Sequence, residues 1–136
     1  MMNLRRFLHP ILIVLTGFLS LTGFAGGIGL LFNLNAPPLE QLGNAIFKDY
    51  TIPGLALFIL VGGSALLALI LLLRKSKYGL LFANAAGIIT LFFEFVEVLI
   101  IGSPAGVARA LQVFYFGLGT LITVFVMGVW FVDLGK

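Results

Sequence analysis

Four long apolar stretches, joined by short polar connections, make up most of the chain. They run at about 8–32, 52–73, 80–101 and 107–132. Each is as long as the roughly 17–25 residues that a helix needs to cross a bilayer, and in hydrocarbon every backbone amide must pair within its own segment. None alternates strictly with a period of two, as a membrane β-strand would. We therefore predict an all-α integral membrane protein: one domain, residues 1–136, forming an up-down four-transmembrane-helix bundle.

The connection at 33–51 is the only long one, and it has a pattern of its own. Leu39, Leu42 and Ile46 recur at i, i+3 and i+7, which predicts a short amphipathic helix over 37–47. Proline is tolerated in a first helical turn, as at Pro37 and Pro38. We expect this helix to lie at the outer membrane interface, either as a lid or as simple interfacial packing.

Composition supports the membrane assignment and excludes several classes of site. The chain is 61% hydrophobic and 10% charged, whereas soluble domains are about 45–50% apolar and about 25% charged. The absence of cysteine excludes disulfides, thiolate catalysis and cysteine metal sites. The basic residues lie at span edges, which does not indicate nucleic-acid binding. We expect the lipid bilayer as partner and no cofactor.

The distribution of arginine and lysine predicts the orientation, because cytoplasmic loops are enriched in both. One side carries Arg5, Arg6, Arg74, Lys75, Lys77 and Lys136, and the other carries Lys48 and Arg109. Both termini and the 74–79 turn are therefore expected inside. The run Arg74-Lys75-Ser76-Lys77 is interpreted as a topology determinant, with contact to anionic headgroups as the alternative.

Small and polar residues recur at heptad-like spacings in the spans, which predicts the faces that pack against other helices. These stripes are Thr16, Ser20, Gly23 and Gly27; Val61, Ser64 and Ala68; Ala83, Gly87, Thr90, Glu94 and Glu97; and Arg109, Gln112, Phe116, Gly119 and Thr123.

Two glutamates lie on the third stripe. A carboxylate in hydrocarbon costs several kcal/mol, on the order of 3 or more, so Glu94 and Glu97 mark a candidate site. Since Arg109 enters the fourth span at similar depth, we predict a Glu97–Arg109 ion pair, with Gln112 and Tyr115 reaching Glu94. The predicted binding residues are Glu94, Glu97, Arg109, Gln112, Tyr115 and Thr90.

Two functions fit this pattern. The first is a non-enzymatic protein that binds or passes a proton, a cation or a small polar group at Glu94 and Glu97. A homodimer of this protein would enclose more volume than four helices alone. The second is a structural or accessory subunit of a larger membrane complex, in which the cluster fixes helix register. Gly62-Gly63-Ser64-Ala65 is then a candidate contact face. No nucleophile–base pair can be drawn, so an enzyme is not expected.

The element Phe47-Lys48-Asp49-Tyr50-Thr51-Ile52-Pro53-Gly54-Leu55, with Pro37-Pro38-Leu39 before it and Glu-Val-Leu-Ile-Ile-Gly at 97–102, resembles a family of small uncharacterised four-span bacterial inner-membrane proteins. The resemblance implies a bacterial cytoplasmic membrane and supplies neither an activity nor site residues.

Overall fold

The computed structural model describes residues 4–32, 51–101 and 107–134. The predicted amphipathic helix at 37–47 and the 102–106 turn lie outside the described residues. Within them the chain is helical except for Phe32 and the short turn at 74–78 that separates two helices.

The described residues form four long helices. Helix α1 is Leu4–Leu31. Helix α2 is one continuous helix, with α-helical ends at Thr51–Ala56 and Ser64–Leu73 and a π-helical centre at Leu57–Gly63. Helix α3 is Gly79–Ile101 and helix α4 is Val107–Leu134.

All four helices are long and apolar enough to cross a membrane. The qualifying segments are Arg6–Leu31, Ile52–Leu73, Gly79–Leu99 and Arg109–Val132. They match the predicted spans to within two residues at each end. The prediction of an all-helical chain with four such segments is confirmed.

Each helix packs against the next one along the chain, and α4 also packs against α1. The shared core contains side chains from all four, among them Leu19, Val61, Ala86 and Ile122, each fully buried. The opposite faces are strongly exposed and rich in leucine, isoleucine, valine and phenylalanine, as at Phe92 and Phe131. An apolar outer surface of this extent is typical of a protein that meets lipid rather than water.

Glycine sets the distance between α1 and α2. A Cβ added at Gly23 would lie 2.8 Å from the Gly62 backbone nitrogen, and one at Gly27 would lie 2.9 Å from the Gly54 carbonyl oxygen. The two backbones are therefore in direct contact, as small residues allow in membrane helices. The Phe24 and Phe58 rings pack edge to face beside this contact, with centroids 4.7 Å apart.

Burial tests the predicted stripes residue by residue. Those of α1 and α3 are confirmed: Thr16, Gly23, Gly87 and Thr90 are all buried. The stripe of α4 is wrong at Phe116, which is 57% exposed. Tyr115 and Leu118 are buried in its place. The reason is that tyrosine can bury its ring and still hydrogen-bond a neighbouring helix, whereas phenylalanine is equally stable against lipid.

Candidate functional site

The candidate site, which we call the acidic cluster, consists of Glu94, Glu97 and Gln112. Glu94 and Glu97 are one turn apart on α3, and Gln112 faces them from α4. With a rise of about 1.5 Å per residue, Glu97 lies about 6 Å and Glu94 about 10 Å from the last residue of α3. Gln112 lies about 8 Å from the first residue of α4 by the same rise, so the three side chains have similar depth.

Glycine and threonine bring α3 and α4 together next to this cluster. A Cβ at Gly87 would lie 2.5 Å from the Thr123 hydroxyl oxygen and 3.0 Å from the Gly119 carbonyl oxygen. The close approach of the two backbones places Glu94 in the interface, where only 3% of it is exposed. Glu97, nearer the helix end, is partly exposed.

The two carboxyl groups are hydrogen-bonded to each other. The Gln112 amide also donates a hydrogen bond to Glu97. A hydrogen bond between two carboxyl groups exists only when one of them carries a proton, since an ionised carboxylate has no donor. The arrangement is therefore one in which the two acids can share a proton.

One oxygen of Glu94 has no partner. Its Oε2 atom is buried without a hydrogen bond to any described residue. A buried acceptor left unpaired costs about 1–3 kcal/mol, so this oxygen is a position at which a proton or a donor group would be stabilised.

Tyr115 lies beside the cluster but bonds elsewhere. It is 5% exposed, and its hydroxyl donates to the Thr22 carbonyl oxygen of α1 at 2.9 Å. A phenol has a single proton to donate, and Tyr115 uses it in a contact between α4 and α1. The predicted contact of Tyr115 with Glu94 stays a prediction. Sequence reasoning missed Thr22 because its acceptor is a backbone carbonyl, which every residue carries.

Thr90 is buried one turn before Glu94, and its hydroxyl donates to the Ala86 carbonyl oxygen at 2.8 Å. This bond within the helix satisfies the donor and leaves the oxygen able only to accept. Thr90 therefore contributes an acceptor at most to anything bound beside Glu94.

Arg109 is exposed near the start of α4. Its ion pair with Glu97 stays a prediction, as does the hydrogen bond from Gln112 to Glu94. A second buried polar atom, Oδ1 of Asn84, also lacks a partner among the described residues. It lies ten positions before Glu94 on α3 and so belongs to the other half of the helix.

The described residues contain no group of three or more histidine, aspartate or glutamate side chains that could hold a metal ion.

The protein was compared with family models, curated proteins and solved structures, and none of them matches the chain. The resemblance of the 47–55 element to small four-span bacterial proteins therefore stays a prediction, and the acidic cluster has to be interpreted from its own geometry.

Proposed function

We propose that the chain is a multi-pass membrane protein, an up-down four-helix bundle, whose acidic cluster binds a proton and forms part of a proton path across the membrane. The observation that carries the proposal is the buried carboxyl pair: Glu94 is nearly inaccessible, is hydrogen-bonded to Glu97, and keeps one oxygen without a partner.

The gradation of burial along α3 supports a path for the proton. Glu97 is partly exposed and Glu94 is buried one turn further in, so a proton arriving at Glu97 can move to Glu94 along their shared hydrogen bond. Ionisable residues inside membrane helices are costly, and they typically mark proton or ion pathways. The Gln112 amide, which donates to Glu97, links the carboxyl pair to α4.

The test is proton flux into vesicles that contain the purified protein and an entrapped pH-sensitive dye, with the membrane potential clamped. We expect flux above that of empty vesicles, and a loss of about tenfold or more in Glu94→Gln, a size typical of removing a proton-transfer group. Glu97→Gln should reduce the flux as well, because it removes the partly exposed member of the pair.

The matched control is Thr16→Val on α1. Thr16 is fully buried and its hydroxyl donates to the Leu12 carbonyl oxygen within its own helix, so the variant changes a buried polar group away from the cluster. It should leave the flux unchanged. Equal proton flux in wild type and Glu94→Gln would overturn the proton pathway. Sodium or potassium flux in place of proton flux would identify the bound species as a metal cation.

The alternative function is a structural or accessory subunit of a larger complex. Its candidate face at 62–65 is used inside the chain: Gly62 packs against the Phe24 backbone and Ala65 is fully buried. Gly63 and Gly117, however, have no atom within 4 Å of a Cβ position, so a further helix could approach closely at either. Purification in a mild detergent distinguishes the two, because a defined second polypeptide favours the accessory role.

A further inference from the structure

A second polar site lies at the opposite end of the helices from the acidic cluster. A cavity of about 310 Å³ opens between the start of α1 and the turn that joins α2 to α3. We call it the basic cavity. Its lining residues are Arg6, His9, Leu72, Lys75, Ser76, Lys77 and Leu80.

We propose that the basic cavity binds a phosphate group, presented by the headgroup of an anionic phospholipid or by a soluble phosphate. Three permanent cations line it, Arg6 from α1 and Lys75 and Lys77 from the turn, together with the His9 imidazole. No carboxylate is among the described residues that line the cavity.

The turn is shaped to hold its cations toward the cavity. Lys75 has a left-handed backbone with φ of 54°, which is uncommon for a residue other than glycine. Its amide donates to the Leu72 carbonyl oxygen at 3.1 Å, and the Ser76 amide donates to the Leu71 carbonyl oxygen at 2.9 Å. These bonds fix the backbone of the turn on the end of α2. A fixed backbone reduces the entropy cost of ordering the turn around an anion.

Hydrogen-bond donors converge on the same place. The Ser76 side-chain oxygen accepts from the Tyr78 amide at 3.2 Å, and its O–H therefore remains a donor. Leu80 lies in the first turn of α3. The Gly79 and Phe82 amides of that turn donate to the Ser76 and Tyr78 carbonyl oxygens, which leaves the Leu80 and Leu81 amides without a partner within the helix. A helix N-terminus with free amides attracts anions, and here it adds to the side-chain cations rather than acting alone.

The surroundings of the cavity favour a phospholipid as the source of the phosphate. Leu73 and Leu81 are 59% and 52% exposed, and each lies next to a lining residue in sequence. An apolar surface directly beside a cationic cavity matches a molecule that carries a phosphate at one end and hydrocarbon at the other. The Lys77 ammonium lies 5.2 Å from the Tyr78 ring centroid, which is suited to the headgroup region, where tyrosine is enriched.

The experiment measures binding to the full chain in an uncharged detergent, with dioctanoyl phosphatidylglycerol, dioctanoyl phosphatidylcholine and inorganic phosphate as separate probes. The test variant is Lys75→Asn with Lys77→Gln; asparagine is chosen because it tolerates the left-handed backbone. The matched control is Arg74→Gln, which removes one charge from the same exposed turn but does not line the cavity. Helix content by circular dichroism verifies that each variant is folded.

We expect phosphatidylglycerol to bind the wild type more tightly than phosphatidylcholine. The double variant should weaken that binding by about tenfold or more, since each cation near the headgroups contributes about 1 kcal/mol. Arg74→Gln should weaken it less than about twofold, because a solvated charge outside the cavity contributes little. Binding of phosphatidylglycerol alone identifies a headgroup site, and equally tight binding of inorganic phosphate identifies a soluble phosphate.

Three results would overturn the proposal. The first is a loss in Arg74→Gln as large as that in the double variant, which would indicate diffuse charge attraction. The second is equal affinity of the wild type for the two lipids. The third is the absence of binding by any of the three probes.

Discussion

The α1–α2 and α3–α4 interfaces both depend on glycine, but they use it differently. At α1–α2 the atoms nearest to an added Cβ include backbone atoms, such as the nitrogen and Cα of Gly62 opposite Gly23. At α3–α4 the nearest atom to Gly87 is the hydroxyl of Thr123, a side chain that can rotate. The first interface, which we call rigid, meets backbone atoms at once. The second, which we call adaptable, meets a side chain first and the Gly119 carbonyl oxygen at 3.0 Å, so it has only slightly more freedom to adjust.

The two interfaces also differ in the groups that connect their helices. The hydrogen bond between Glu97 and Gln112 joins α3 to α4, whereas glycine backbones and the Phe24–Phe58 ring pair join α1 to α2. The acidic cluster therefore lies at the α3–α4 interface, whereas the closest backbone contacts lie at the α1–α2 interface.

The largest effect is expected at the rigid interface. Gly23→Ala would place a methyl group 2.8 Å from the Gly62 nitrogen, so one helix backbone must move, at a cost of about 1–3 kcal/mol in the free energy of unfolding. Unfolding by sodium dodecyl sulfate in mixed micelles, followed by Trp130 fluorescence, measures it.

Gly63→Ala is the matched control for this substitution. Gly63 lies next to Gly62 but has open space at its Cβ position, so alanine should be neutral or stabilising by up to about 1 kcal/mol. If Gly23→Ala were as stable as Gly63→Ala, the α1–α2 contact would be looser than described.

A smaller effect is expected at the adaptable interface. Gly87→Ala should destabilise by about 1–2 kcal/mol, the lower part of the range for overpacking. The Thr123 side chain can move away, and the Gly119 carbonyl oxygen, 3.0 Å from the added Cβ, needs to shift only slightly. Thr123→Ala in the same chain should recover part of the loss, with a coupling energy of about 0.5 kcal/mol or more. Strictly additive effects of the two substitutions would show that Gly87 and Thr123 do not meet.

The smallest effect concerns the link between the two halves. Tyr115→Phe removes the hydrogen bond to the Thr22 carbonyl oxygen and should destabilise by about 1 kcal/mol. Tyr78→Phe, at a tyrosine that is half exposed, is the control and should change the free energy of unfolding by less than about 0.5 kcal/mol. Equal changes in the two variants would mean that the bond to Thr22 contributes no stability.

The number and length of the helices and the inward faces of α1 and α3 could be predicted, because hydropathy and the spacing of small residues follow directly from the order of residues in the chain. Glu94 and Thr90 were located on the buried face in this way. The register of α4 was harder, since Tyr115 and Phe116 are adjacent aromatics and both suit an apolar surface. Only the hydrogen bond to α1 decides between them.

The partners of the site residues were the least predictable. The predicted ion pair between Arg109 and Glu97 rests on their similar depth in the bundle. Similar depth places two side chains in the same layer, but it does not require them to touch. The acceptor on Thr22 is a backbone carbonyl oxygen, so the type of side chain at that position does not reveal it. The π-helical centre of α2 could not be predicted from hydropathy either, because Leu57–Gly63 is as apolar as the segments on both sides of it.

The widened centre of α2 has a consequence for the order of its side chains. Leu57, Val61, Ala65, Ala68 and Leu72 are all buried, with spacings of 4, 4, 3 and 4. In a regular α-helix two successive steps of four would drift by about 80°, and the wider π turn absorbs that rotation. Deleting a single residue from Leu57–Gly63 would remove the extra residue that a π turn holds relative to an α turn. The two ends of α2 would then keep their relative rotation, so that Gly54 would still face Gly27 while the centre of the helix became regular.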